Sequence, residues 1–267
     1  MAGPKLASVI PLKDYNPTRR FPVITLVLIA INVGVYFFVQ RPFDETSNQA
    51  QFSYEVAAIP CEVVQGRPLT EDEIVQTLRF DDSTACETGP VTKDEEFFPN
   101  KSVWLALLYS MFLHGGLLHL GGNMLFLWIF GNNIEDRMGI AGYIAFYLLA
   151  GLVASAAHIL VQPDSTVPVV GASGAIAGVM GAYLILFPNV KIRSFIFFFI
   201  ILFRDIPAKW LLGVWFVTQF FTSPSEGVAW VAHVGGFLFG ALVAFFLRDR
   251  LRPSRVPSLE PAPNPTW

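Results

Sequence analysis

Six apolar stretches, near residues 22–40, 116–131, 140–161, 170–187, 207–222 and 228–247, constrain this chain more than any other feature. Crossing a hydrocarbon layer as a helix takes about 20 consecutive apolar residues, and most of these stretches approach that length. Hydrophobic residues make up 53% of the 267 and charged residues 15%. With a mean hydropathy of +0.51, the chain is too apolar for an ordinary soluble domain. The pattern predicts a multi-pass, all-α membrane protein with six transmembrane helices. Two further apolar runs exceed one membrane thickness. Val103 to Phe130 is interrupted by His114-Gly115-Gly116, which predicts an outer segment, Val103 to Leu113, ahead of the second span. Ile192 to Phe221 is interrupted by Arg204, Asp205 and Pro207, which predicts an inner interfacial segment, Ile196 to Phe203, ahead of the fifth.

Orientation follows from Lys and Arg, which concentrate in short cytoplasmic loops. Lys5, Lys13, Arg19 and Arg20 precede the first span, and Arg137 follows the second. Lys191, Arg193, Arg204 and Lys209 separate the fourth and fifth spans, and Arg248, Arg250, Arg252 and Arg255 follow the sixth. All fall on one face of a six-span arrangement with both termini inside. The expected organisation is a cytoplasmic segment 1–20, a membrane domain 21–251 and a disordered cytoplasmic tail 252–267. Polar and Pro-containing residues ahead of the first apolar run speak against a cleavable leader. The extracytoplasmic insertion 41–102 holds 13 acidic residues against five basic ones, a balance that gives no sign of nucleic-acid binding. Both cysteines, Cys61 and Cys86, lie in it and could pair on an oxidising face. A short inner face and a large outer loop suit a bacterial plasma membrane.

Polar groups inside hydrophobic helices are costly and mark candidate functional positions. In the inside-to-inside arrangement the second, fourth and sixth spans all start outside, so His119 and Asn123, Ser173, and His233 reach one layer near the outer surface. His119 and Asn123 are four residues apart, hence on one helix face. Gly174 and Gly178 on the fourth span and Gly236 and Gly240 on the sixth are small enough to let two membrane helices approach closely. Such an approach brings the Ser173 hydroxyl within reach of the His233 imidazole, a base able to remove its proton and later protonate a leaving amine. The Ser173 backbone N–H, the Asn123 amide and the His119 imidazole are candidate oxyanion donors. No acidic residue stands at that depth to orient His233, which predicts a Ser–His dyad.

Gly171-Ala172-Ser173-Gly174, Ala-His-Val-Gly-Gly at 232–236, and His114-Gly-Gly-Leu-Leu-His119-Leu-Gly-Gly-Asn123 resemble, in that order of spans, the motifs of the rhomboid family of intramembrane serine proteases. The resemblance extends from about Phe21 to Leu251. It implies a rhomboid-like bundle with Ser173 as nucleophile, His233 as base and acid, and His119 with Asn123 at the oxyanion hole. It further implies single-span transmembrane proteins as substrates, cut in or beside the span in the lipid bilayer, with no cofactor. The sequence does not fix the oligomeric state. Three departures from the family pattern stand out: Trp104 is followed by Leu105 where many relatives carry Trp-Arg, Ala177 stands where some place an aromatic on the catalytic imidazole, and the acidic insertion is extra.

Each of these residues also has a plainer role. Ser173 could be a small packing residue, His233 a satisfied interior histidine, and His119 with Asn123 an interhelical hydrogen-bonding pair. His114, five residues before His119, reads as a structural group in the loop, and Glu135-Asp136-Arg137 as a solvated inner turn that could also cap and fix the second and third spans. No metal site is expected, because no carboxylate or cysteine joins the histidines on the outer face. The competing function is a non-catalytic, derlin-type adaptor that binds membrane helices. A transporter would need charged residues inside its spans.

Overall fold

The computed structural model describes residues 8–43, 48–89, 92, 95–198, 200–222 and 229–251; the tail 252–267 and Lys5 lie outside them. The chain is mostly helical. Strand β1 (Ser8–Asp14) leads to α1 (Val23–Gly34), which continues as a wider helical turn to Gln40. The insertion supplies α2 (Gln49–Val56), α3 (Pro60–Gln65) and α4 (Glu71–Phe80). Then follow α5 (Val103–Ser110), α6 (Leu117–Phe126), α7 (Asn132–Val161) and α8 (Ser173–Leu186). Strands β2 (Lys191–Phe198) and β3 (Ile200–Pro207) precede α9 (Ala208–Gln219) and α10 (Trp230–Leu251).

Among the described residues, three helical runs are long and apolar enough to cross a membrane: Val23–Gln40, Leu117–Val161 and Trp230–Leu251. The 45-residue run breaks at Gly139, whose φ of 71° and ψ of 173° leave the helical region. Its two arms fold back on each other, since His119 near one end and His158 near the other line the same cavity. The helices bear large apolar side chains on their outer surface, among them Leu118 at 94% and Phe246 at 77% exposure, a surface water would not tolerate over such an extent.

The expected all-α architecture is corrected by a three-stranded antiparallel sheet in the order β1-β2-β3. Of the stretch Ile196 to Phe203, expected as an interfacial segment, residues 196–198 and 200–203 pair across β2 and β3, with Phe195 opposite Phe203 and Ile196 opposite Leu202. Part of the segment 1–20 is its third strand. A continuous apolar run shows neither the alternation of a strand nor the 3.6-residue period of a helix, so its state was not legible from pattern. Pairing satisfies its backbone groups, and Arg193 opposite Asp205 closes the hairpin with an ion pair. Asp14 at the end of β1 ties the sheet to the bundle, accepting from the Tyr183 hydroxyl at 2.9 Å and the Asn133 amide at 2.7 Å.

A second correction concerns the inner turn. Glu135 is buried, not solvated, and its carboxylate accepts from Ile24 N–H, Thr25 N–H and the Thr25 hydroxyl at 2.8, 2.8 and 2.7 Å. It therefore satisfies the unpaired donors at the start of α1, which has no capping side chain of its own. Asp136 accepts from Arg19 N–H and Arg20 N–H in the same way.

The insertion is a small folded lobe. Tyr54, Ile59, Cys61, Leu69 and Ile74 form its core, and a Cys61–Cys86 disulfide closes it. Glu73 completes a capping box with Thr70 and pairs with Arg67. Burial works to raise the Glu73 carboxyl, but these hydrogen bonds outweigh it and hold the group below its ordinary value. The lobe grips the segment leading to α8: Cys61 N–H donates to Ser165 O, Thr166 N–H to Ser83 O and Val169 N–H to Ala58 O.

At the centre of the bundle, α8 is buried on every side from Gly174 to Tyr183. With 14 residues it is short for a full crossing, and burial relieves it of lipid contact. Its main partner is α10. A Cβ added to Gly240 would overlap the Gly178 carbonyl oxygen, one on Gly236 the Gly174 carbonyl oxygen, and one on Gly181 the Phe237 carbonyl oxygen. The two backbones touch, as small residues permit in membrane helices.

Two stability outcomes follow, each measured by thermal unfolding in detergent. Glu135→Ala removes three charge-assisted bonds from buried donors and lowers stability by about 2 kcal/mol or more; an unchanged melting temperature contradicts the capping role. Gly240→Ala forces α8 and α10 apart and lowers it sharply. Gly213→Ala, where a Cβ meets nothing within 4 Å, leaves it unchanged or slightly higher.

Candidate active site

The backbone contact of α8 with α10 carries Ser173 to His233. Ser173 Oγ lies 2.8 Å from His233 Nε2. The sequence places Ser173 three or four residues inside its span; instead it is the first residue of α8. The helical pattern begins with Ile176 N–H donating to Ala172 O, so the N–H of Ser173 belongs to the unpaired set at a helix N-terminus. His233 sits one turn into α10.

On its other side the imidazole meets α9. His233 Nδ1 is 2.8 Å from Gln219 Oε1, while Gln219 Nε2 donates to the Trp215 carbonyl at 3.1 Å. The Trp215 ring lies 5.9 Å from the imidazole, so an aromatic does pack there, from α9 and not from the Ala177 position. No carboxylate bonds to His233 among the described residues. Sequence reasoning missed Gln219; an amide at the end of an apolar span, four residues after a Trp, was the available signal.

His119 and Asn123 arrive from α6. The Gly115 N–H donates to His119 Nδ1 at 3.3 Å, which places the proton of the neutral ring on Nε2. A Cβ on Gly171 would lie 2.9 Å from that Nε2 and 3.4 Å from Ser173 Oγ, so the two groups flank one point. Gly171 also has φ of 132°, a conformation that disfavours any side chain. Asn123 is buried, and its Nδ2 has no hydrogen-bond partner among the described residues.

These groups share a cavity of about 900 Å³ lined by Ser173, His233, His119, Asn123 and His158. His158, also missed by the sequence reading, comes from the end of α7, and its Nδ1 has no partner among the described residues. All four histidines lie at this end of the bundle: His114 packs edge-on against His119 at 5.2 Å. Its backbone is held at both ends by the Gln40 amide. Residues 162–165 and 167–170, with Ser83 and Thr84 of the insertion, also line the cavity. Cys61 and Cys86 are outside it. Cys61, Glu73 and Cys86 offer atoms close enough to hold a metal ion, but the two sulfurs are joined to each other.

Residues 101–250 match the family model described as Rhomboid domain. Rhomboid protein 1, mitochondrial, of Saccharomyces cerevisiae is 28% identical over 172 residues, 59% of this chain and 46% of the relative. Rhomboid protease GluP of Bacillus subtilis is 41% identical over 81 residues, 30% of this chain and 15% of the relative. RHOMBOID-like protein 5 of Arabidopsis thaliana is 32% identical over 154 residues, 55% of this chain and 44% of the relative. Each alignment spans less than half of the relative's length. The spread across a mitochondrial, a bacterial and a plant protein does not support the expected bacterial plasma membrane. The apolar helices and these matches together make the chain an integral membrane protein, and it belongs to the rhomboid family.

Proposed function

We propose that this chain is an intramembrane serine endopeptidase that cuts single-span membrane proteins within or beside their transmembrane helix. The observation that carries the reading is the 2.8 Å contact between Ser173 Oγ and His233 Nε2 at the wall of a cavity. Hydroxyl and imidazole at hydrogen-bond distance are what nucleophile activation requires.

Ser173 Oγ attacks the scissile carbonyl carbon as its proton passes to His233 Nε2. The oxyanion so formed accepts from the Ser173 N–H, the Asn123 amide and the His119 Nε2–H; the unpartnered Asn123 Nδ2 supports this assignment. Collapse of the intermediate breaks the C–N bond, and the His233 Nε2 proton leaves with the amine. Water from the cavity, deprotonated by His233, then attacks the Ser173 ester, releases the carboxylate and returns the proton to Oγ.

In this reading α1, the two arms of Leu117–Val161, α8, α9 and α10 are the six spans, both termini are inside, and the insertion stands outside. Two features support it: the polar cluster occupies one end of the bundle, and Lys13, Arg19, Arg20, Arg137, Lys191 and Arg193 all lie in or beside the sheet and the Glu135 turn.

Purified protein with a labelled single-span substrate in detergent or lipid tests the reading. Ser173→Ala is expected to reduce cleavage by roughly 10⁴-fold or more. Equal cleavage by the two proteins sinks it, and substrate capture without turnover in the intact protein favours an adaptor.

A further inference from the structure

Gln219 of α9 bridges His233 to the backbone of its own helix, and the direction of that bridge carries chemical information. An amide side chain can be placed with its oxygen and nitrogen exchanged, so its neighbours must decide which end is which. The Trp215 carbonyl is an acceptor only, and the Gln219 atom facing it at 3.1 Å must be the NH₂ group. Reversal would set two oxygens against each other. The Gln219 oxygen therefore faces His233 Nδ1 at 2.8 Å, and an oxygen that can only accept requires a proton on Nδ1. In a neutral imidazole the remaining nitrogen is then a lone-pair acceptor, and that nitrogen is Nε2, the one facing the Ser173 hydroxyl. The opposite tautomer would point an N–H at Oγ and be unable to take its proton.

Gln219 is buried, and the arrangement leaves it little freedom: the Thr218 hydroxyl shares the same Trp215 carbonyl, and the Trp215 ring covers the imidazole. The base, its orienting group and the nucleophile thus come from three different helices, α10, α9 and α8.

We propose that Gln219 is a positioning residue that locks His233 in the Nδ1–H tautomer, so that the catalytic unit is Ser173–His233–Gln219 with an amide in the place where soluble serine proteases use a carboxylate. The proposal rests on the Ser173–His233 pair being catalytic. A neutral acceptor fixes tautomer and ring orientation without bringing a second charge into a low-dielectric site.

The most direct test needs no activity. In ¹⁵N-histidine-labelled Ser173→Ala protein in detergent at neutral pH, the His233 ring signals, assigned by their loss in His233→Ala, are expected to show a protonated Nδ1 and an unprotonated Nε2. The reverse assignment, or a mixture of both tautomers, overturns the proposal whether or not the protein is a protease. In the active protein, Gln219→Leu removes the acceptor at similar size and is expected to lower kcat by roughly 100-fold with KM within about twofold. That is a smaller loss than the ~10⁴ caused by a wrong tautomer beside an orienting carboxylate. Wild-type kcat in folded Gln219→Leu protein, or His233 ring signals in that variant that still show a single Nδ1–H tautomer, contradicts the proposal.

Discussion

The distance between Ser173 and His233 is set by the contact of α8 with α10, where Gly174, Gly178 and Gly181 meet Gly236, Phe237 and Gly240 with no side chain between the backbones. Without the hydrophobic effect to press helices together in lipid, packing of this kind supplies their association. The same contact line runs upward to the polar end, so the closeness that holds the bundle also delivers an alcohol to an imidazole. Ala150 and Ala154 of α7 stand against Gly178 and Gly174 at the same contact, so three helices meet along this line.

Around that line the polar groups obey the rule that buried donors and acceptors find partners. Glu135 finds the start of α1, Asp14 finds Tyr183 and Asn133, and Gln40 finds the His114 backbone. Among the described residues, Asn123 Nδ2 and His158 Nδ1 are exceptions that line the cavity, while others, both ring nitrogens of His114 among them, lie outside its lining. The insertion touches both the fold and the cavity, since its bonds to Ser165, Thr166 and Val169 hold the segment leading to α8 while Ser83 and Thr84 line the cavity.

Much of this was legible in the sequence because the chemistry of lipid makes exceptions conspicuous. A Ser, two His and an Asn inside apolar runs, flanked by glycines at helical spacing, can be read without coordinates. What escaped did so for identifiable reasons. The β-hairpin was hidden because its apolar run carries no periodicity. Glu135 looked solvated because a turn rich in charge usually is, and only the three-dimensional position of α1 reveals the donors it satisfies. Gln219 and His158 sit at the ends of helices, where polar residues are common and unremarked, and their meaning depends on α9 and α7 converging on the same site.

On the proposed function, the α8–α10 contact leaves a Ser173 hydroxyl that His233 makes nucleophilic, and that reactivity can be read without knowing any substrate. Incubation with a fluorophosphonate followed by peptide mass spectrometry is expected to find the adduct on Ser173 alone, and to find none in His233→Ala protein that remains folded. Absence of any adduct in the wild-type protein, or labelling of Ser173 undiminished by loss of His233, would contradict it.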